Sequence, residues 1–198
     1  MMNRLVLVLG LSLLAGCATV KSSRVRSDYE TVDKTQVKRL AVVTQPLPEG
    51  KQDVGDLWSL VARRYVNQNR DFIARSNVAL PGTPEDPTFK SLCVDTIEGV
   101  LWLSPDVKQQ GKGVEGEIKA QLLRCRDGQE VWAAEAAGSW PSEDDRYKEI
   151  TVQYGEELGA GVTPFVGPTF RLLSATLDTL PRPQLSETDI EEKIELGE

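Results

Sequence analysis

The apolar pattern of this chain predicts an α/β fold. It reads as a single two-layer domain with a mixed sheet of about five strands, a late antiparallel hairpin and helices packed on one face. Three observations carry that expectation. Val37, Leu40, Ala41, Val42 and Val43 form a β-branched-rich run that ends at Pro46 and Pro48, as a buried first strand does. Val54, Leu57, Trp58, Val61, Ala62, Tyr65 and Val66 then recur at helical spacing, which predicts an amphipathic helix over residues 53–69 with Asp53 as N-cap. Later, two alternating runs flank Asp127-Gly128, a strong short-range hairpin signal.

The remaining elements follow in order. Phe72, Ile73 and Ala74 suggest a short strand over 71–75, and the three prolines and one glycine of residues 81–87 a turn cluster. Phe89, Leu92 and Cys93 share one side of a second helix over 88–95, and "EGVLWLSPD" supplies a strand over 98–103. In the hairpin's first arm, 113–125, Val114, Gly116, Ile118, Ala120 and Leu122 alternate with Glu115, Glu117, Lys119 and Gln121, so one face is buried and the other wet. The second arm, 129–139, carries Ala133, Ala134, Ala136, Ala137 and Gly138, small enough for something to pack closely. Two helices are expected after the acidic run Glu143, Asp144 and Asp145: one over 144–160 and, past Pro164, one over 167–180. Gly155, Gly159 and Gly161 weaken the first by roughly 1 kcal/mol each relative to alanine. Residues 37–180 thus form the domain. Residues 181–198 are an acidic tail in which Leu185, Ile190 and Ile194 form a helix only if something receives them.

Residues 1–16 have the layout of a secretory signal: one charge at Arg4, a Leu/Val-rich block, and small residues at the end. The block is too short for a bilayer span of about 20 residues. Leu14-Ala15-Gly16-Cys17 resembles the lipobox of bacterial lipoproteins. That resemblance implies cleavage after Gly16, lipidation of Cys17 and a mature chain held on a membrane by its N-terminal lipid. Two or three acyl chains, at about 0.8 kcal/mol per buried CH₂, suffice for stable anchoring. Ala18 in the next position implies sorting to the outer membrane, with the domain facing the periplasm. The competing reading is an ordinary thiol at Cys17 in a leader that is simply removed. Residues 18–36 are polar and lack a sustained apolar pattern, so residues 17–36 read as a lipidated N-terminus and flexible tether; nineteen extended residues reach roughly 60 Å.

Composition narrows the chemistry. The 198 residues hold 23 Lys and Arg against 30 Asp and Glu, a net charge of −7 that gives no broad attraction to nucleic acid. Histidine is absent, which removes Ser-His-Asp and Cys-His nucleophile activation and the usual zinc-hydrolase ligand sets. EF-hand spacing is absent too, and no cofactor is called for. Apart from Cys17, Cys93 and Cys125 form a disulfide candidate in an oxidising compartment, contributing on the order of 3 kcal/mol by closing their loop; the alternative is two buried, reduced thiols.

The order strand, helix, strand, helix, strand, hairpin, helix, with the lipobox, resembles the small envelope-lipoprotein domain of CsgG-type secretion channels, LpoB-like activators of penicillin-binding proteins and the N-terminal domain of TolB. The matching residues are "VKRLAVVTQ" from Val37 and the hairpin words from Leu123 to Trp132. Two departures stand out: no segment is long enough for a CsgG-type membrane-inserting hairpin, and the tether is shorter than in LpoB-like proteins. The resemblance implies action by holding protein partners, not by bond chemistry.

The leading expectation is therefore a non-enzymatic outer-membrane lipoprotein. It would be a protein-binding or accessory subunit of an envelope assembly or secretion machine, with Trp102, Trp132 and Trp140 near strand positions as interface candidates. Peptidoglycan remains open as a further partner. The alternative is a glycan-binding or glycan-hydrolysing periplasmic protein working through carboxylates at Glu98, Glu115, Glu117 and Glu135, or a purely structural tether.

Overall fold

The computed structural model describes residues 18–45, 51–81 and 86–197. The lipobox and Cys17 lie outside the described residues. The elements are β1 (Thr19–Val25), α1 (Tyr29–Val32), β2 (Arg39–Thr44), α2 (Gln52–Asn69), β3 (Ile73–Ala79), α3 (Asp86–Leu92), β4 (Gly99–Gln110), β5 (Gly113–Arg124), β6 (Glu130–Pro141), α4 (Lys148–Leu158), α5 (Thr163–Leu177) and α6 (Glu187–Gly197). They form one α/β domain around a six-stranded mixed sheet in the order β1-β6-β5-β4-β2-β3. β2 runs parallel to both β3 and β4, and every other pairing is antiparallel.

The core forms where the apolar patterns converge. Leu40 and Val42 of β2, Leu101 and Leu103 of β4, and Ile118 and Leu122 of β5 meet Leu57, Trp58 and Val61 of α2 and Leu172 and Leu173 of α5. β2 is buried along almost its whole length because its other side is covered as well. Val43, Val100 and Trp102 point to the opposite face, into a second, smaller core with Phe89, Leu92, Cys93 and Cys125. The short α3 thus seals that end of the sheet. The Cys93–Cys125 disulfide, with Cα atoms 5.4 Å apart, fixes it there.

The late hairpin stands where Asp127-Gly128 placed it. Gly128 has φ +70, a conformation glycine adopts without steric cost. The loop is longer than a two-residue turn because its residues are occupied: Cys125 is bridged to Cys93, and the Asp127 carboxylate takes Arg124 at 2.6 Å. The small residues of β6 do permit close packing. A Cβ on Gly138 would stand 2.1 Å from the Trp140 ring, which folds back over the strand.

Several boundaries move. β4 runs past Pro105 to Gln110, making a three-strand meander with β5 and β6. Proline is tolerated there because β2 stops pairing at Leu103, leaving β4 an edge. Asp53 lies in the first turn of α2, and the cap position is Lys51. Pro164 sits in the first turn of α5 and starts that helix instead of separating two others, because its missing N–H falls where no helical partner exists.

The two flanks expected to lie outside the domain belong to it. The tether expected over residues 18–36 is corrected. Ala18 packs against the core, β1 pairs with β6 from Thr19↔Ala137 to Val25↔Trp132, and Tyr29 and Asp33 are buried. Its polarity is that of an edge strand fixed by backbone hydrogen bonds. Arg124 secures the following turn, its guanidinium hydrogen-bonded to both Asp33 and Asp127. The acidic tail is corrected likewise: from Glu187 it is α6, docked beside β3 and α2. Asp189 meets Lys38 and Arg39 at 2.6 Å each, and Glu192 meets Arg39 at 2.8 Å and Arg75 at 2.5 Å.

Candidate functional site

Helices α2, α4 and α5 lie on one face of the sheet. On the other, α3 covers only the end formed by β2, β3 and part of β4. Among the described residues, no element covers the outer face of β1, β6, β5 and the far half of β4. Pairing arranges its residues in rows across four strands. One row is Ser22, Glu135, Lys119 and Ser104; the next is Thr19, Ala137, Glu117 and Asp106. Beyond these, Ser139, Glu115 and Lys108 form a third row across three strands. Ion pairs stitch the rows together: Lys21 to Glu117 at 3.0 Å, Arg24 to Glu130 at 2.8 Å, Lys108 to Asp106 at 3.3 Å. An open trough of about 650 Å³ runs along this face between Lys21, Asp106, Glu115, Glu117 and Ser139.

The carboxylates singled out in the sequence divide. Glu115, Glu117 and Glu135 share this face. Glu98 does not reach it: its carboxylate accepts the backbone N–H groups of Lys38 at 2.7 Å and Arg39 at 2.9 Å, tying β2 to β4. Glu117 is held below the usual carboxylate range by the hydrogen bond and charge of Lys21. A general acid for glycoside cleavage needs the opposite shift. Wherever the described residues show a resolved carboxyl shift, it is downward, at Asp28, Glu117, Asp127, Asp144, Asp189 and Glu192, each with a cationic partner.

The three tryptophans are buried within the chain. Trp102, Trp132 and Trp140 are each 3% exposed or less. Trp102 lies in the small core under α3, Trp132 donates its indole N–H to Thr179 at 3.2 Å, and Trp140 covers Gly138. Their apolar rings serve folding because strand alternation turns them inward. The residues that reasoning from sequence missed are Lys21, Ser22 and Arg24, hidden in what reads as a tether. The signal was faint: all seven residues of β1 are exposed, so burial imprints no alternation on it, and a β-bulge between Val20 and Ser22 shifts its register.

Among the described residues, no group of three or more His, Cys, Asp or Glu side chains could hold a metal ion. No helix among them is long and apolar enough to cross a membrane. The site is a charged, exposed sheet face crossed by an open trough and held in part by its own ion pairs.

No family model matches the chain. No curated protein matches it either. Among solved structures it is similar to a PelC dodecamer from Paraburkholderia phytofirmans, with 13% identity over 75% of this chain and 96% of that one, and a TM-score of 0.46. It is also similar to the hypothetical protein CT253 from Chlamydia trachomatis, at 12% identity over 71% and 94% of the two chains, TM-score 0.42. Lipoprotein GNA1162 from Neisseria meningitidis is a third, at 14% identity over 63% and 99%, TM-score 0.34. None of the three is close enough to carry a functional argument.

Proposed function

We propose that this chain is a lipid-anchored accessory protein of the bacterial envelope, held by Cys17 at the outer membrane and facing the periplasm. In this reading it binds a protein partner through the uncovered face of β1, β6, β5 and β4 and performs no bond chemistry itself. The observation that carries the reading is the uneven covering of the sheet. One face is filled by three helices and one end of the other is sealed by a disulfide-fixed helix, yet among the described residues nothing covers a four-strand surface. Its charges already lie in fixed register, so a partner with the complementary pattern gains orientation and discrimination more than raw affinity.

A photo-crosslinking residue at Glu135, with the protein in its native envelope, tests this. The expected result is one defined protein adduct, identified by mass spectrometry and absent when the same residue replaces Glu156 on α4. Equal labelling from both positions would reject the face as an interface. Intact mass of the membrane-extracted protein tests the anchor separately: an unacylated Cys17 refutes it.

A second reading, glycan binding, has one observation in its favour. Asp106 and Glu117 face each other directly across β4 and β5 in the open trough, with Ser139 nearby, and such polar groups can accept sugar hydroxyls. Co-sedimentation with purified peptidoglycan, lost in Glu117→Gln, would favour it over the protein partner.

A further inference from the structure

The distance between anchor and fold is far shorter than the sequence pattern implies, and this fixes an orientation. β1 begins at Thr19, two residues after Cys17, and two residues span at most about 7 Å. Ala18, between them, already packs against the core. No slack is left for a tether.

The strand directions then decide which end of the molecule lies at the anchor. Thr19 stands level with Ala137 of β6, Glu117 of β5 and Asp106 of β4. Past that row, on the anchor side, β4 continues over residues 107–110, β5 begins over 113–116, and β6 ends over 138–141. Four more residues of strand project roughly 13 Å beyond the start of β1. The β4–β5 turn is therefore the part of the sheet that extends furthest toward an acyl chain on Cys17.

We propose that this turn, residues 109–113, is a membrane-contacting surface that rests in the phospholipid headgroup layer and holds the sheet end-on to the bilayer. This rests on the acylation of Cys17 proposed above. The composition of the tip fits. Gln109, Gln110, Gly111, Lys112 and Gly113 carry one cation and no acid in a chain of net charge −7, and Lys112 is exposed. A single lysine near an anionic surface supplies about 1 kcal/mol. Glu143 and Asp145, exposed just past Ser142, whose amide donates to the Lys112 carbonyl, offset part of that attraction. The acyl chains therefore supply the affinity and the tip supplies the orientation. One consequence reaches the partner: the uncovered face stands upright from the membrane, open to a protein in the same bilayer or just beneath it.

The test uses the mature acylated protein in vesicles of phosphatidylethanolamine and phosphatidylglycerol. Lys112→Cys carries a fluorophore at the tip. Thr35→Cys carries it at the far end, where Gln36 accepts from Arg126 of the β5–β6 turn at 2.6 Å. Gln109→Cys serves as a second tip position should the first variant fold poorly. A quencher on the lipid headgroups is expected to quench the tip labels severalfold more than the Thr35→Cys label. Equal quenching, or stronger quenching at Thr35→Cys, overturns the orientation. Intact mass of the same sample separates the two failures: acylated protein with an unquenched tip refutes only the orientation, whereas unacylated protein refutes the anchor and this inference together.

Discussion

Lys193 shows how a single half-buried charge can close an element. Its ammonium donates to the carbonyls of Val66 at 3.2 Å, Asn67 at 2.6 Å and Phe72 at 2.9 Å, at the C-terminal end of α2 and the entry to β3. A helix leaves its last carbonyls short of intrahelical partners, and here a side chain from α6, more than a hundred residues away in sequence, reaches that of Asn67, shares that of Val66 with the Arg70 backbone N–H, and adds that of Phe72 beyond the helix. Burial pushes the Lys193 ammonium below its ordinary range, yet the three acceptors favour keeping it charged. Lys193→Met preserves most of the stem and removes the donor. It is expected to lower unfolding free energy by about 2 kcal/mol, read as a lower urea midpoint at unchanged slope. A midpoint within error of the parent would mean that water replaces the ammonium at no cost. Asn67 works beside it, its side chain bridging both the N–H and the C=O of Ala74 at 2.7 and 3.0 Å.

At the scale of elements, α3 and α6 are both fastened from outside themselves, by different chemistry. α3 has seven residues, too few to be stable alone, and holds its place through Phe89, Leu92 and the Cys93–Cys125 bridge. Replacing both cysteines by alanine is expected to cost about 3 kcal/mol and to shift Trp102 emission to the red as α3 lifts from the sheet. A stability loss without the emission shift would place the effect in the unfolded chain alone. α6 instead depends on carboxylates. Burial alone would raise Asp189 and Glu192, but hydrogen bonds from Lys38, Ser186 and Arg39 to the first, and from Arg75 and Arg39 to the second, outweigh it and hold both below the usual carboxylate range. A group whose folded pKa is depressed adds stability that is complete above its unfolded pKa, near 4, and is lost as pH falls through the folded value. Little change is expected from pH 7 to 5. From about pH 4 downward, hydrogen exchange should report loss of protection in α6 before β5. Simultaneous loss in both would show that α6 is not a separate unit.

These flanking elements also show where the sequence was opaque. β2, α2 and β5 were legible because burial imprints a period on the residues themselves: Leu40 to Val43, Leu57 to Val66, Val114 to Leu122. β1 carries no such imprint, since all seven of its residues are exposed and it is held by backbone bonds to β6. α6 reads as a solvated acidic tail because the cations that receive it, Lys38, Arg39 and Arg75, lie over a hundred residues away. The outer face suffered from the same gap. Glu115, Glu117 and Glu135 were visible as its wet side, but their neighbours Lys21, Ser22 and Arg24 belong to the strand that could not be seen.

Taken whole, the molecule is a sheet with two differently finished faces, and that asymmetry separates the residues that build the core from those of the proposed binding face. The helical side and the α3 end hold nearly all the buried apolar residues, whereas the open rows hold exposed ion pairs such as Lys21 with Glu117, both about half exposed. Exposed pairs of this kind contribute at most about 1 kcal/mol to stability. Substitution on the open face should therefore leave the fold intact while altering binding to the proposed partner. Glu135→Lys is the sharpest instance. It sets a second cation opposite Lys119 in the same row and reverses the sign at the centre of the four strands. Its expected effect on unfolding free energy is within about 0.5 kcal/mol, since the position is solvent-exposed. Crosslinking to the proposed envelope partner from a probe at Gln121, in the neighbouring row, should fall severalfold, with the loss largest at low salt, where unscreened repulsion is strongest. If Glu135→Lys instead unfolds the protein, the open face is part of the folding core. If it leaves crosslinking untouched, the partner sits elsewhere and the pattern of rows has no role in recognition.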